Sequence, residues 1–384
     1  MITDGFLFLG VLLALAAVIV YCEKRSRLAF FRYVPGFVLM YIITALLNTV
    51  GVFSQDDEVV DLGAGVQDAL LPAMILLLLF QCDIRKIIKL GPKLLLTYVV
   101  TAFSIFLGFV VSFLILHAVL DPEAWKALGA LAASWTGGSA NMVAVQSILH
   151  APQDVFGYVL IVDTIIYSLW LLVMFGSVSV SDKFNKWTKA DTRYLDVHAN
   201  DEETADQKPI DLTSLICVIG FSIFISAAAS GIGGLLPEIG VVITSSTWTI
   251  LIVSVLGLVI GSTKLGNVAG SSEVAMVMLY MIIGIIASQS DFASLGQAPL
   301  YLVAGVIVMI VHVAVVVLYA KLTRTELFSL AVASTANIGG IASAPVVASA
   351  FNRQLVPVGV LFALIGAFAG TFFGLMTAQV LSLL

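Results

Sequence analysis

Apolar residues dominate the chain in twelve stretches, at about 5–22, 35–53, 62–81, 94–119, 127–149 and 155–176, and again at about 212–229, 241–261, 273–288, 299–320, 326–350 and 357–381. Each is near the roughly 20 residues that a helix needs to cross a hydrocarbon core of about 30 Å. The runs are continuous and do not alternate, which predicts helices and excludes a β-barrel. A polar segment at 177–211 divides the stretches six and six. The expected organisation is therefore a first unit at 1–176, a linker at 177–211 with a short helix near 182–188, and a second unit at 212–384.

The fifth stretch of each set is interrupted. Ser134-Trp135-Thr136-Gly137-Gly138-Ser139-Ala140-Asn141 breaks the first, and Ser334-Thr335-Ala336-Asn337-Ile338-Gly339-Gly340-Ile341-Ala342-Ser343 breaks the second, with the glycine pairs in register. Polar, glycine-broken backbone at membrane depth is tolerated only where protein or a water-filled cavity satisfies it. Other matches recur in the same order. Gln81-Cys82-Asp83 parallels Gln289-Ser290-Asp291; Leu90-Gly91 and Leu295-Gly296 follow, and then Pro92 and Pro299. Together they predict an internal repeat.

Charge sets the topology. Six full crossings per half would make the repeats parallel, whereas five crossings and a hairpin that returns to its starting side would make them inverted. With the N-terminus outside and hairpins at the two broken stretches, only Lys126 of the 18 basic residues lies outside, a split of 17 to 1. Full crossings would make it 9 to 9. Cytoplasmic loops carry an excess of Lys and Arg, so the hairpins are expected. The predicted fold is an all-α polytopic membrane protein of about ten transmembrane helices. They form two inverted five-helix repeats, each with a glycine-rich re-entrant hairpin or broken helix. Both termini then lie outside the cytoplasmic membrane and the linker is cytoplasmic.

Composition agrees, since a chain of 384 residues with 60% hydrophobic and 11% charged residues departs from soluble domains, in which about a quarter are charged. No basic patch suggests nucleic acid. Cys22, Cys82 and Cys217 form no CxxC pair, so neither a disulfide framework nor a cysteine metal site is expected. The N-terminus lacks the basic region of a cleavable signal, and 6–21 reads as the first span.

The hairpin tips are the first candidate chemistry. Half-helix ends carry partial charges and free backbone groups. Paired glycines admit a ligand closely, and Ser, Thr and Asn add donors and acceptors. Ser134, Thr136, Gly137, Gly138, Ser139 and Asn141, with Ser334, Thr335, Asn337, Gly339, Gly340 and Ser343, are the expected substrate-binding residues. The competing explanation for the glycines is close helix packing. Asp163, deep in the sixth stretch, is expensive there and marks an ion or proton path. It is the candidate cation ligand, with Thr164 and Tyr167 expected to complete its surroundings. His312 is the histidine at depth and a second candidate for ion coupling. Asp68 and Glu273 are read as solvated carboxylates near an interface. No Lys or Arg lies at depth, and Walker-type, HExxH and GxSxG patterns are missing, so no enzyme activity is expected and no cofactor beyond Na⁺ or H⁺.

The SWTGGSAN segment, its STANIGG partner and the Gln-x-Asp triplets resemble the YjcL-like bacterial membrane proteins over almost the whole chain. More distantly, paired inverted repeats with glycine-rich hairpins are similar to the sodium-coupled glutamate symporters and the 2-hydroxycarboxylate transporters. Those families carry a GGxG-like tip, where this chain has Gly137-Gly138-Ser139-Ala140 and Gly339-Gly340-Ile341-Ala342. The binding-site arginine of the hydroxycarboxylate transporters has no clear counterpart here. The resemblance implies a sodium- or proton-coupled symporter of small organic acids, amino acids or short peptides. It also implies a homodimer in lipid whose hairpin-bearing core moves against a scaffold in an elevator manner. A cation/proton antiporter without organic substrate is the alternative.

Overall fold

The computed structural model describes residues 1–25, 36–80, 82–191, 195, 209–239, 242–290 and 298–384. Gln81 and Asp291 of the repeated triplets, Leu295-Gly296, and 192–194 and 196–208 of the linker lie outside the described residues. The first half holds α1 (Gly5–Arg25), α2 (Gly36–Thr49), α3 (Asp57–Leu79), the short α4 (Ile84–Ile88), α5 (Gly91–Leu116), α6 (Ala124–Gly137), α7 (Ser139–Leu149) and α8 (Gln153–Ser177). A short α9 (Ser181–Thr188) follows where the linker helix was expected. The second half holds α10 (Leu212–Gly233), α11 (Ser245–Gly261), α12 (Ser271–Ala287), α13 (Ala298–Thr323), α14 (Leu327–Phe351) and α15 (Val356–Leu381).

Among the described residues there are seven helices long and apolar enough to cross a membrane, against the ten spans expected. The shortfall lies in α2, which has 14 residues, and in α11 and α12, which have 17 each. These three are apolar but fall short of a full crossing by length.

Local chemistry marks the helix starts. Pro92 and Pro357 sit in the first turns of α5 and α15, where a missing N–H costs nothing. Asp211 caps α10 by accepting from the Ser214 N–H at 2.7 Å, and these cap bonds hold its carboxyl below the usual carboxylate range. Glu326 caps α14 by accepting from the Ser329 N–H at 3.2 Å.

The helices sort into two bundles, each drawn from corresponding parts of both halves. One combines α1, α2 and α3 with α10, α11 and α12. The other combines α5 to α8 with α13, α14 and α15. Outward-facing apolar side chains such as Phe6, Phe221, Phe224 and Leu318 are exposed, as expected of surfaces that face lipid. Asp68 and Glu273 are also exposed.

Two segments double back. A straight helix of 25 residues would be about 37 Å long, yet Phe328 and Phe351, at the two ends of α14, stack edge to face with ring centres 5.9 Å apart. The reversal is at Gly340, whose φ of 62° and ψ of −150° are non-helical. Gly138, with φ 98° and ψ 171°, makes the equivalent break between α6 and α7. Both conformations are essentially reserved for glycine.

Candidate functional site

The two breaks meet. The direction in which a side chain would project from Gly340 brings it within 3.7 Å of the Gly138 Cα. Beside this contact lies a cavity of about 290 Å³ between the two bundles. Phe37 of α2, Ile75 and Leu78 of α3, and Met276 and Leu279 of α12 form one wall. The opposite wall comes from α6, α7, α8, α14 and α15. It carries Ser134, Gly137, Gly138, Ser139, Ala140, Asn141, Asp163, Thr164, Tyr167, Ile338, Gly339, Gly340, Ile341 and Ala367.

Within each glycine pair the two positions do different work. Gly137 lies against α15, where a Cβ would come within 2.2 Å of the Gly366 carbonyl oxygen and 2.7 Å of the Gly370 Cα. Gly339 is crowded by Ser343 and by the Tyr167 ring, both 2.7 Å from a built Cβ. The second glycines, Gly138 and Gly340, instead supply the positive φ of the turn. Close packing at the first position and turn geometry at the second therefore both account for the repeated pair.

Asp163 is 7% exposed and borders the cavity. Its partners are in α6: the Trp135 Nε1–H donates to Oδ1 at 2.8 Å and the Ser134 hydroxyl donates to the same oxygen at 3.2 Å. Thr164 and Tyr167, expected to complete its surroundings, share the cavity lining with it but bond elsewhere. Thr164 turns its hydroxyl to the Leu160 carbonyl, 3.0 Å away in its own helix, and the Tyr167 hydroxyl pairs with the Ser343 Oγ at 2.6 Å. The reason is competition, because a helical Thr finds a carbonyl one turn back without moving.

The remaining candidates divide by position. Asn141 borders the cavity and is fixed on both sides of its amide: Nδ2 donates to the Gly137 carbonyl at 2.9 Å and Oδ1 accepts from the Thr371 hydroxyl at 2.7 Å. Thr136 and Thr335 donate to carbonyls four residues back, Ala132 and Ala331, each at 2.7 Å, and are not among the residues that border the cavity. Asn337 donates to the Ala333 carbonyl at 2.9 Å and its buried Oδ1 has no hydrogen bond.

Ser334 and His312 belong to a separate network. The Ser334 Oγ accepts from the Trp170 Nε1–H at 2.9 Å and lies 2.8 Å from the His312 Nε2. The His312 Nδ1 is 2.7 Å from the Ser104 Oγ. His312, the second candidate for ion coupling, is fully buried in this network and is not among the residues that border the cavity. Both ring nitrogens are occupied by hydroxyls that tie α5, α13 and α14 together.

Among the described residues no three His, Cys, Asp or Glu side chains gather as a metal-binding group. A cation at Asp163 would draw its other ligands from hydroxyl and carbonyl oxygens, a donor set suited to hard cations. The residues that sequence reading passed over are Trp135, Thr371 and the apolar wall. Trp135 had a visible signal: a large side chain with an N–H donor in a run of small residues needs a partner when buried. The apolar wall had none, because its members look like any other residues of their helices.

Comparison with known proteins adds the family. The chain is 24% identical over 387 residues to the uncharacterized membrane protein YjcL of Bacillus subtilis (strain 168), covering 97% of this chain and 96% of that one. Helices of membrane-spanning length accord with that relative, and the chain is a multi-pass membrane protein. A family profile described as protein of unknown function (DUF819) matches residues 10–384, and the chain belongs to that family.

Proposed function

We propose that this protein is a cation-coupled secondary transporter of a small solute, working by alternating access with Na⁺ or H⁺ as the coupling ion. The observation that carries the reading is the meeting of Gly138 and Gly340 beside a cavity walled by both bundles and bordered by Asp163. Broken helices that meet from the two halves of a repeat are the usual way for a membrane protein to present backbone groups to a solute. In this reading each doubled-back segment is a re-entrant hairpin, the repeats are inverted and the termini lie outside. The bundle holding α6, α7 and α14 moves as an elevator against the other, and two copies form a dimer in the cytoplasmic membrane. A cavity of about 290 Å³ is at the small end of ligand sites, which run from roughly 300 to 1,000 Å³, and fits a small molecule better than a long peptide.

Uptake by proteoliposomes tests this. Imposed Na⁺ or H⁺ gradients are expected to drive accumulation of at least one labelled amino acid or organic acid. If no gradient drives any solute, the transporter reading fails. A cation/proton antiporter is the second reading, favoured by Asp163 being, among the described residues, the one charged side chain that borders the cavity. Internal pH that responds to added Na⁺ with no solute present would establish it.

A further inference from the structure

The cavity offers two kinds of charge. The first N–H groups of a helix have no partner within that helix and carry partial positive charge. At the start of α7, Asn141 and Met142 return their N–H groups to the Gly138 carbonyl at 3.0 and 3.4 Å, leaving those of Ser139 and Ala140 ahead of the first helical bond. Both residues border the cavity. The second half of α14 restarts at Ile341 after the same kind of break and also reaches the cavity.

Asp163 is the negative counterpart. Its two donors converge on Oδ1, so Oδ2 carries no hydrogen bond although the residue is 7% exposed and borders the cavity. Oδ2 is not among the fully buried unpaired atoms, so it keeps its exposure to the cavity, where a charged hydrogen-bond donor would satisfy it. The wall facing these groups, made by Phe37, Ile75, Leu78, Met276 and Leu279, has no side chain able to form a conventional hydrogen bond.

An inorganic cation answers only the carboxylate, and an organic anion answers only the helix ends. An α-amino acid zwitterion answers both, and the opposite wall asks for an apolar side chain. We infer that the cavity binds a small zwitterionic amino acid with an aliphatic side chain. Its ammonium donates to Asp163 Oδ2, its carboxylate accepts from the N–H groups at Ser139, Ala140 and Ile341, and its side chain lies against the Phe37 wall. The inference rests on the transporter reading and narrows it: Asp163 serves the solute, and the coupling cation falls to the tip carbonyls and hydroxyls.

The test is equilibrium binding to the purified full chain, followed by uptake. The probes are L-leucine, 4-methylpentanoate, which lacks the ammonium, isoamylamine, which lacks the carboxylate, and L-glutamate. Leucine is expected to bind at least tenfold tighter than each of the other three, and D163N to weaken leucine at least tenfold while changing 4-methylpentanoate by less than threefold. The ligand series uses the unaltered protein, so it decides the matter even if D163N does not fold. The inference is overturned if 4-methylpentanoate or glutamate binds as well as leucine. Cation-driven glutamate uptake without leucine binding would sink it and leave the transporter reading standing. Na⁺/H⁺ exchange with no solute bound or carried would remove both.

Discussion

Gly138 and Gly340 are where single residues decide the most. At φ 98° and 62°, alanine would be held in a conformation that costs about 1–3 kcal/mol. Space is not the obstacle, since a Cβ on Gly138 would find nothing nearer than 4.0 Å. G138A is therefore expected to lower stability by that amount in a thermal melt and to reduce uptake. A melt unchanged to within a few tenths of a kcal/mol would show that the tip does not hold this backbone. The glycine pairs were visible in the sequence because they recur in register. The division of labour inside each pair was not, because crowding at Gly137 comes from Gly366 and Gly370, more than two hundred residues away in the chain. The surroundings of His312 were hidden for a related reason. An imidazole at membrane depth looks the same in sequence whether its nitrogens face a cavity or the Ser104 and Ser334 hydroxyls.

At the scale of elements, one seam holds the first break in place. Gly129, Ala133 and Gly137 of α6 recur every four residues, as do Gly366, Gly370 and Gly374 of α15, and the two rows lie against each other. A built Cβ on Gly374 comes within 2.5 Å of the Ala133 Cβ, and one on Gly129 within 2.6 Å of the Ala378 Cβ. Where lipid tails are as apolar as the helix surface, such close backbone approach is a main source of helix association. G374L is expected to push α15 off α6, lowering the apparent melting temperature of the detergent-solubilised protein and abolishing uptake. Near-wild-type uptake would show that the seam has slack. Helix positions were largely legible from apolar run lengths, and the short α9 lies where a helix was expected in the polar linker. The lengths of α2 and α11 were not, because the apolar stretches expected at 35–53 and 241–261 extend beyond the helices at Gly36–Thr49 and Ser245–Gly261.

For the whole molecule, contacts group the connections at two ends. Gln55 and Asn48 donate to the Ser288 and Ser290 carbonyls at 3.1 and 3.0 Å, and Tyr41 donates to the Gln153 carbonyl at 3.0 Å. Lys93 donates to the Asp191 carbonyl at 3.2 Å, and the Leu327 N–H donates to Asn185 Oδ1 at 2.9 Å. The second group carries basic residues, and the proposed orientation makes it the cytoplasmic side. An impermeant maleimide added to intact cells, in a background without Cys22, Cys82 and Cys217, should label D121C and leave K183C unmodified until the membrane is opened. Labelling of K183C from outside would reverse the orientation.

The linker is anchored at one end more firmly than a tether needs to be. Trp187 offers its carbonyl to Lys321, whose ammonium also lies 4.4 Å from the indole ring centre, and the Asp191 N–H donates to the Arg324 carbonyl at 3.2 Å. The linker's first part thus belongs to the bundle that holds the hairpins, while Asp211 caps a helix of the other bundle. Leu195 is buried in one cluster with Leu90, Leu94 and Phe328 of the bundle that holds the two breaks, so any displacement of one bundle past the other would carry α9 and Leu195 with that bundle.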